Sequence, residues 1–250
     1  MTVEHMQRID KYLSDAGIGS RSVIKRLLRS GAVRINGRTV TDPAEKLDET
    51  QDKVDLNGET VERQRSFVLI LNKPAGFVTA TDDPKERTVM ELLPSKYRAW
   101  GAVPVGRLDK QTEGLLLFTN DGVLAHRLIS PKYEIEKVYY ARHEGTAGSE
   151  DVALFQAGIT LKDGTVCRPA VLTPIGPGES RITVTEGKYH QVRRMMASRN
   201  MTVQYLRRDR EGQLTLAGLN SGECRELTAD ELQMLMTSVQ YEQNENLTKL

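Results

Sequence analysis

The run Leu115-Leu116-Leu117-Phe118 narrows the possible folds more than any other feature, because four large apolar residues follow one another with no polar alternation. A strand that faces water on neither side reads this way, so the run predicts a strand inside a sheet covered on both faces. Directly before it stands Gly106-Arg107-Leu108-Asp109-Lys110-Gln111-Thr112-Glu113-Gly114, in which Gly106 and Gly114 permit tight backbone paths around Asp109. One carboxylate is therefore set in a glycine-framed loop at the lip of a core. A turn or capping role is the ordinary reading of such an Asp; a fixed acid of an active site is the other. Asn120-Asp121-Gly122, past the strand, reads as a turn.

A second apolar run, Phe67-Val68-Leu69-Ile70-Leu71, follows the charged connector Glu62-Arg63-Gln64-Arg65. It starts a new core, which puts a domain boundary near residues 63–65. At 250 residues and 38% hydrophobic content the chain can build one good core and a small extra module. The expected division is a module over 1–63, a larger domain over 64–240 and a loose, polar tail over 241–250.

In the first segment Ile9, Tyr12, Leu13 and Ala16 fall at helical spacing with Gly17 as a C-terminal cap. Ser20 is placed to cap a second helix whose buried stripe is Val23, Ile24, Leu27 and Leu28, ended by Gly31. Asn36-Gly37 and Asn57-Gly58 each predict a tight hairpin. The net charge of the whole chain is only +1, which announces no polyanionic partner. Its distribution says more. Residues 8–40 carry eight bases against two acids, and residues 41–62 carry eight acids against two bases. On the second helix Arg21, Lys25 and Arg29 recur every four residues and line one edge. A solvated helix face and a phosphate-binding row fit that pattern alike.

Beyond the Asp109 loop, Leu124, Leu128 and Ile129 predict a short helix ending before Pro131, and Glu136-Lys137-Val138-Tyr139-Tyr140 opens a strand. Arg181 to Thr185 alternates as a half-buried strand, and Glu186 to Met196 opens a helix on which His190, Arg193 and Arg194 share a face. Val203 to Leu206 and Leu214 to Leu216 continue the sheet. Thr228-Ala229-Asp230-Glu231 is a capping-box pattern before Leu232, Leu235, Met236 and Val239. The whole reads as α+β, with a mixed, largely antiparallel sheet flanked by helices. Cys167 and Cys224 have no metal-ligand spacing and read as reduced residues. No apolar run approaches a membrane span and the first residues lack a signal h-region, so a cytoplasmic protein is expected.

The segment GRLDKQTEGLLLFTNDG resembles the catalytic motif of pseudouridine synthases, in particular the RsuA-like branch that modifies ribosomal RNA. Asn72-Lys73-Pro74-Ala75-Gly76 resembles that family's opening motif, Glu136-Lys137-Val138-Tyr139 its tyrosine motif, and Gly187 to Met195 its third motif. Residues 8–40 resemble the alpha-L RNA-binding module first known from a small-subunit ribosomal protein. The resemblance runs from about Arg8 to Val239. It implies a cofactor-free and metal-free isomerase that turns uridine into pseudouridine in ribosomal RNA or a pre-ribosomal particle, acting as a monomer. It also implies catalytic roles for Asp109, Tyr139 and Arg193 and substrate contacts for Arg107, Thr112, His190, Gln191 and Arg194. RNA contacts are implied for Arg8, Arg21, Lys25, Arg26 and Arg29. Asp109 would act as a nucleophile at the ribose C1′ or as a base, and either route requires the ionised carboxylate. The segment LNKPAGFVTATDDP resembles the small-subunit enzyme more than its large-subunit relatives. The alternatives are a large-subunit target and a noncatalytic RNA-binding assembly factor.

Overall fold

The computed structural model describes residues 6–49, 51–61, 66–216 and 218–241, and its contacts fall into two units, Met1–Arg65 and Ser66–Leu250. The connector at 62–65 and the tail from 242 lie outside the described residues. The first unit runs β1 (Met6–Arg8), α1 (Ile9–Asp15), α2 (Arg21–Arg29), β2 (Val33–Ile35), β3 (Arg38–Thr39), β4 (Lys46–Asp48), β5 (Val54–Leu56) and β6 (Glu59–Thr60). Asn36 and Gly37 both take positive φ, 50° and 79°, and turn β2 into β3. Asn57 and Gly58 do the same between β5 and β6. Paired positive φ matches the twist of the flanking strands, which is why Asn-Gly serves here. Ile9, Leu13, Ile24, Leu28, Val33 and Leu47 are fully buried between the helices and the four-stranded sheet β3-β2-β5-β6. Val23 and Leu27 are only partly covered, so the buried stripe of α2 is narrower than its sequence suggests. The ladder of β1 on β4 was not expected from the sequence.

The second unit runs β7 (Val68–Lys73), α3 (Ser95–Ala99), β8 (Val103–Val105), β9 (Glu113–Thr119), α4 (Gly122–Ile129), β10 (Lys137–His143) and α5 (Ser149–Ala157). It continues with β11 (Val171–Gly176), β12 (Glu179–Val184), α6 (Gln191–Ala197), β13 (Val203–Glu211), β14 (Leu214–Thr215), β15 (Cys224–Glu226) and α7 (Ala229–Ser238). The sheet order is β11-β12-β10-β13-β9-β7-β15, with β8 on β9 and β14 on β13. Among the described residues these strands pair antiparallel except β13 with β9, which joins the two halves of the sheet through Arg207 opposite Glu113 and Arg208 opposite Gly114.

Leu115, Leu116, Leu117 and Phe118 are all wholly buried. Leu116 and Phe118 pack with Leu69, Leu71, Leu206 and the α6 residues Met195 and Met196 on one face of the sheet. Leu115 and Leu117 pack with the α4 residue Leu124 and the α7 residue Leu235 on the other. Burying each such side chain contributes roughly 1.5–3 kcal/mol. Asp121 caps α4 rather than closing a free turn, its Oδ1 accepting from the Val123 and Leu124 amides at 2.9 and 3.0 Å. The Thr228/Glu231 capping box of α7 is formed. Tyr241 is not loose: its hydroxyl donates to Asp121 Oδ2 at 2.5 Å.

Candidate active site

Three elements build the site. The first is the loop from Gly106 to Gly114. Leu108 anchors it in the core, and Thr79 clamps it by donating from Oγ1 to the Leu108 carbonyl at 2.7 Å and accepting from the Leu108 amide at 3.2 Å. From beneath, the three hydrogens of the Lys73 ammonium are shared among four carbonyls within reach: Thr112 at 2.8 Å, Pro74 at 3.0 Å, Lys110 at 3.2 Å and Asp109 at 3.3 Å. The loop carbonyls are thus turned inward. The Asp109 carboxylate faces the cleft, its side chain 33% exposed.

The second element is the stretch entering α6. The helix starts at Gln191 and not near Glu186, because the preceding residues form a turn closed by Gln191 itself. Its Oε1 accepts from the Lys188 amide at 2.9 Å and its Nε2 donates to Glu186 at 2.9 Å. His190 precedes the helix in the left-handed region, at φ 47°, so the helical spacing that placed it with Arg193 and Arg194 does not apply. It reaches the site nonetheless, with Nε2 3.4 Å from Asp109 Oδ1. Arg193 Nε lies 3.9 Å from Asp109 Oδ2, an ionic approach rather than a hydrogen bond, while its Nη1 donates to the Val203 carbonyl at 3.0 Å. His190 is therefore nearer the carboxylate than the guanidinium expected to pair with it. Arg194 is not brought to the site: its guanidinium pairs with Asp163 at 2.5 Å and donates to the Tyr189 carbonyl.

The third element is β10, which supplies Tyr139 from a central position in the sheet. These parts line an open cleft, whose walls include Arg107, Asp109, Thr112, Tyr139, His190, Gln191 and Arg193. Thr112 is buried and its Oγ1 has no hydrogen-bond partner, whereas Gln191 is occupied in holding the turn. Burial raises the Tyr139 phenol above its ordinary pKa of 10.0, so it stays protonated at neutral pH. Among the described residues no group of three or more His, Cys, Asp or Glu side chains is placed to hold a metal.

Against known proteins, the family model described as RNA pseudouridylate synthase matches residues 67–198. The chain belongs to this family. A second model, the S4 domain, matches residues 7–54, where the alpha-L module was expected. An uncharacterized RNA pseudouridine synthase of Bacillus subtilis is 39% identical, over 91% of this chain and 98% of that protein. Ribosomal small subunit pseudouridine synthase A of Escherichia coli is 38% identical over 90% and 98%, respectively. Ribosomal large subunit pseudouridine synthase B of Bacillus subtilis is 35% identical over 96% and 99%. A solved crystal structure of a pseudouridylate synthase superposes with a TM-score of 0.65 at 31% identity, covering 91% of this chain and 99% of that one.

Sequence reasoning missed two buried cations of this pseudouridylate synthase fold, Lys73 and Arg208. Burial lowers the Lys73 ammonium from 10.5 to about 8, with Glu113 and Asp109 opposing the shift. As pH rises through about 8 the group loses a proton and one of its donors to the loop carbonyls, and turnover is expected to fall along that limb. The folded form then binds fewer protons than the unfolded chain between about pH 8 and 10.5, so this group makes stability rise, not fall, over that window. A rate profile from pH 6.5 to 9.5 recorded beside thermal midpoints checks this. Parallel decline of both would assign the alkaline loss to unfolding instead.

Proposed function

We propose that the chain isomerises uridine to pseudouridine in ribosomal RNA, with the small-subunit RNA as target and Asp109 as the group that acts on the nucleoside. The reaction breaks the bond from C1′ to the uracil N1 and makes one from C1′ to C5, the proton leaving C5 and one returning to N1. Nothing is oxidised or reduced. The observation that carries the reading is the convergence of Asp109, Tyr139, His190 and Arg193, from three separate elements, on one cleft. A binder has no use for a carboxylate mounted so firmly beside a cleft. Asp109 attacks C1′ or removes a neighbouring sugar proton. Arg193 and His190 hold its carboxylate in place, while Arg107 and Thr112 contact the nucleotide. Tyr139 packs on the uracil after the nucleotide leaves its stack, a step costing roughly a few kcal/mol. Gln191 acts by fixing the turn, and Arg194 supports it from outside the cleft.

Residues 1–63 form the RNA-binding module and residues 64–240 the catalytic domain in this reading. One unit supplies every side chain of the cleft, which supports a monomer, and ribosomal RNA as substrate supports a cytoplasmic enzyme. No described helix is long and apolar enough to cross a membrane. Incubating the protein with ribosomal RNA from cells lacking it, then mapping pseudouridine in both subunit RNAs, tests the reaction and the target together. No conversion would leave the assembly-factor alternative standing. Conversion of large-subunit RNA alone would reverse the choice of target.

Arg21, Lys25, Arg26 and Arg29 are exposed on α2, and Arg8 is exposed but paired with Asp10 at 2.7 Å. Replacing Arg21, Lys25 and Arg29 together by Ala is expected to weaken binding to all RNAs alike. At roughly 0.7–0.9 per phosphate contact, the slope of log affinity against log salt should become shallower by about 2–3. A filter-binding titration with an unchanged slope would remove these residues from the interface.

A further inference from the structure

Beneath the cleft lies a group of buried charges for which the reaction above has no role. Arg208 and Glu211 on β13 are each 2% exposed, and Lys137 on β10 approaches Glu211 at 3.6 Å. Taking such charges out of water costs several kcal/mol, and apolar side chains of the same size would hold a core as well. Their position is more informative. Arg208 stands directly opposite Tyr139 in the β10–β13 ladder, so the two side chains are cross-strand neighbours. Its guanidinium is fixed at one end by donating from Nε to the Leu115 carbonyl at 2.7 Å. At the other end Nη2 faces Glu211 Oε2 at 3.2 Å, yet the two are too poorly aligned to form a hydrogen bond. That nitrogen keeps its hydrogen-bonding capacity, and the guanidinium lies beside the Tyr139 hydroxyl.

A guanidinium can only donate, whereas a phenol has one hydrogen and can also accept. We propose that Arg208 is a positioning residue that donates to the Tyr139 oxygen and thereby turns the phenolic hydrogen into the cleft, with Glu211 and Lys137 holding the guanidinium. Tyr139 then meets the detached uracil as a donor to the negative charge spread over its ring. The inference rests on the reading of Tyr139 as a residue of the active site.

The test is a double-mutant cycle on the single-turnover rate of tritium release from 5-tritiated uridine in ribosomal RNA prepared from cells lacking the protein. Arg208→Met should slow the reaction about tenfold with RNA affinity unchanged, and Arg208→Lys should recover part of the loss. In a Tyr139→Phe background the same Arg208→Met change should alter the rate less than twofold. Equal losses in both backgrounds would overturn the proposal while leaving Tyr139 in the site. A parental rate for Tyr139→Phe alone would remove Tyr139 from the site and the proposal with it. Should Arg208→Met fail to fold, Glu211→Gln carries the same cycle, with a loss of a few fold expected only when the phenol is present.

Discussion

Asp109→Asn should lower pseudouridine formation by at least about a thousandfold while leaving the protein folded and able to bind RNA. The carboxamide keeps the shape of the side chain but can neither attack C1′ nor take a proton. Little else depends on the charge. The nearest basic side chains to the carboxylate are His190 at 3.4 Å and Arg193 at 3.9 Å, and the side chain is one-third exposed, so the stability change should stay within about 1 kcal/mol. The loop geometry survives because Lys73 and Thr112 hold the backbone carbonyl of residue 109 and not its side chain. Removing a negative charge from the cleft should, if anything, strengthen RNA binding slightly. Single-turnover product yield, thermal midpoint and RNA affinity measured on one preparation check all three. Substantial product from the variant would end the assignment of Asp109.

The parts of this arrangement that could be read from sequence are those fixed by local chemistry. Leu115 to Phe118 had to be buried on both faces, the Asn-Gly pairs had to turn hairpins, and Thr228 with Glu231 had to cap a helix. What escaped depends on distant partners. Arg194 and Arg193 are neighbours on α6, and only the Asp163 loop, remote in sequence, draws one of them away from the cleft. The left-handed conformation of His190 carries no glycine to betray it, since a buried Gln191 closes the turn. Short strands such as β1 and β4 lack enough residues to show a period, and β11 hides behind Pro174, which its edge position tolerates. Arg208 could have been found. Leu206 is an apolar residue of β13, and the period of two places residue 208 on the same inward face.

Gly114→Ala should lower the thermal midpoint of the second unit by roughly 4–24 °C, centred on about 10 °C, the largest stability effect expected of any single methyl group here. Gly114 sits at φ +101°, where an L side chain is strained, and an added Cβ would stand 2.2 Å from the Arg208 carbonyl oxygen and 2.8 Å from its amide nitrogen. Backbone strain of roughly 1–3 kcal/mol adds to an overlap cost of about 1–3 kcal/mol. The neighbour cannot yield cheaply, because it is main chain. It also belongs to the parallel pairing that, among the described residues, joins β11-β12-β10-β13 to β9-β7-β15, so relief would open the sheet at that joint. A few kcal/mol is a large part of the 5–15 kcal/mol that holds a typical domain, and at this size each kcal/mol shifts the midpoint by roughly 2–4 °C. Gly122→Ala is the control: it starts α4 with nothing within 4 Å of the added carbon and should melt within a degree or two of the parent. The same joint sets Asp109 at one end of β9 against Tyr139 and Arg208, so turnover by whatever Gly114→Ala protein remains folded should fall as well. A variant that melts with the parent would mean that β13 can move aside, and that the approach of its main chain to Gly114 does not hold the cleft together.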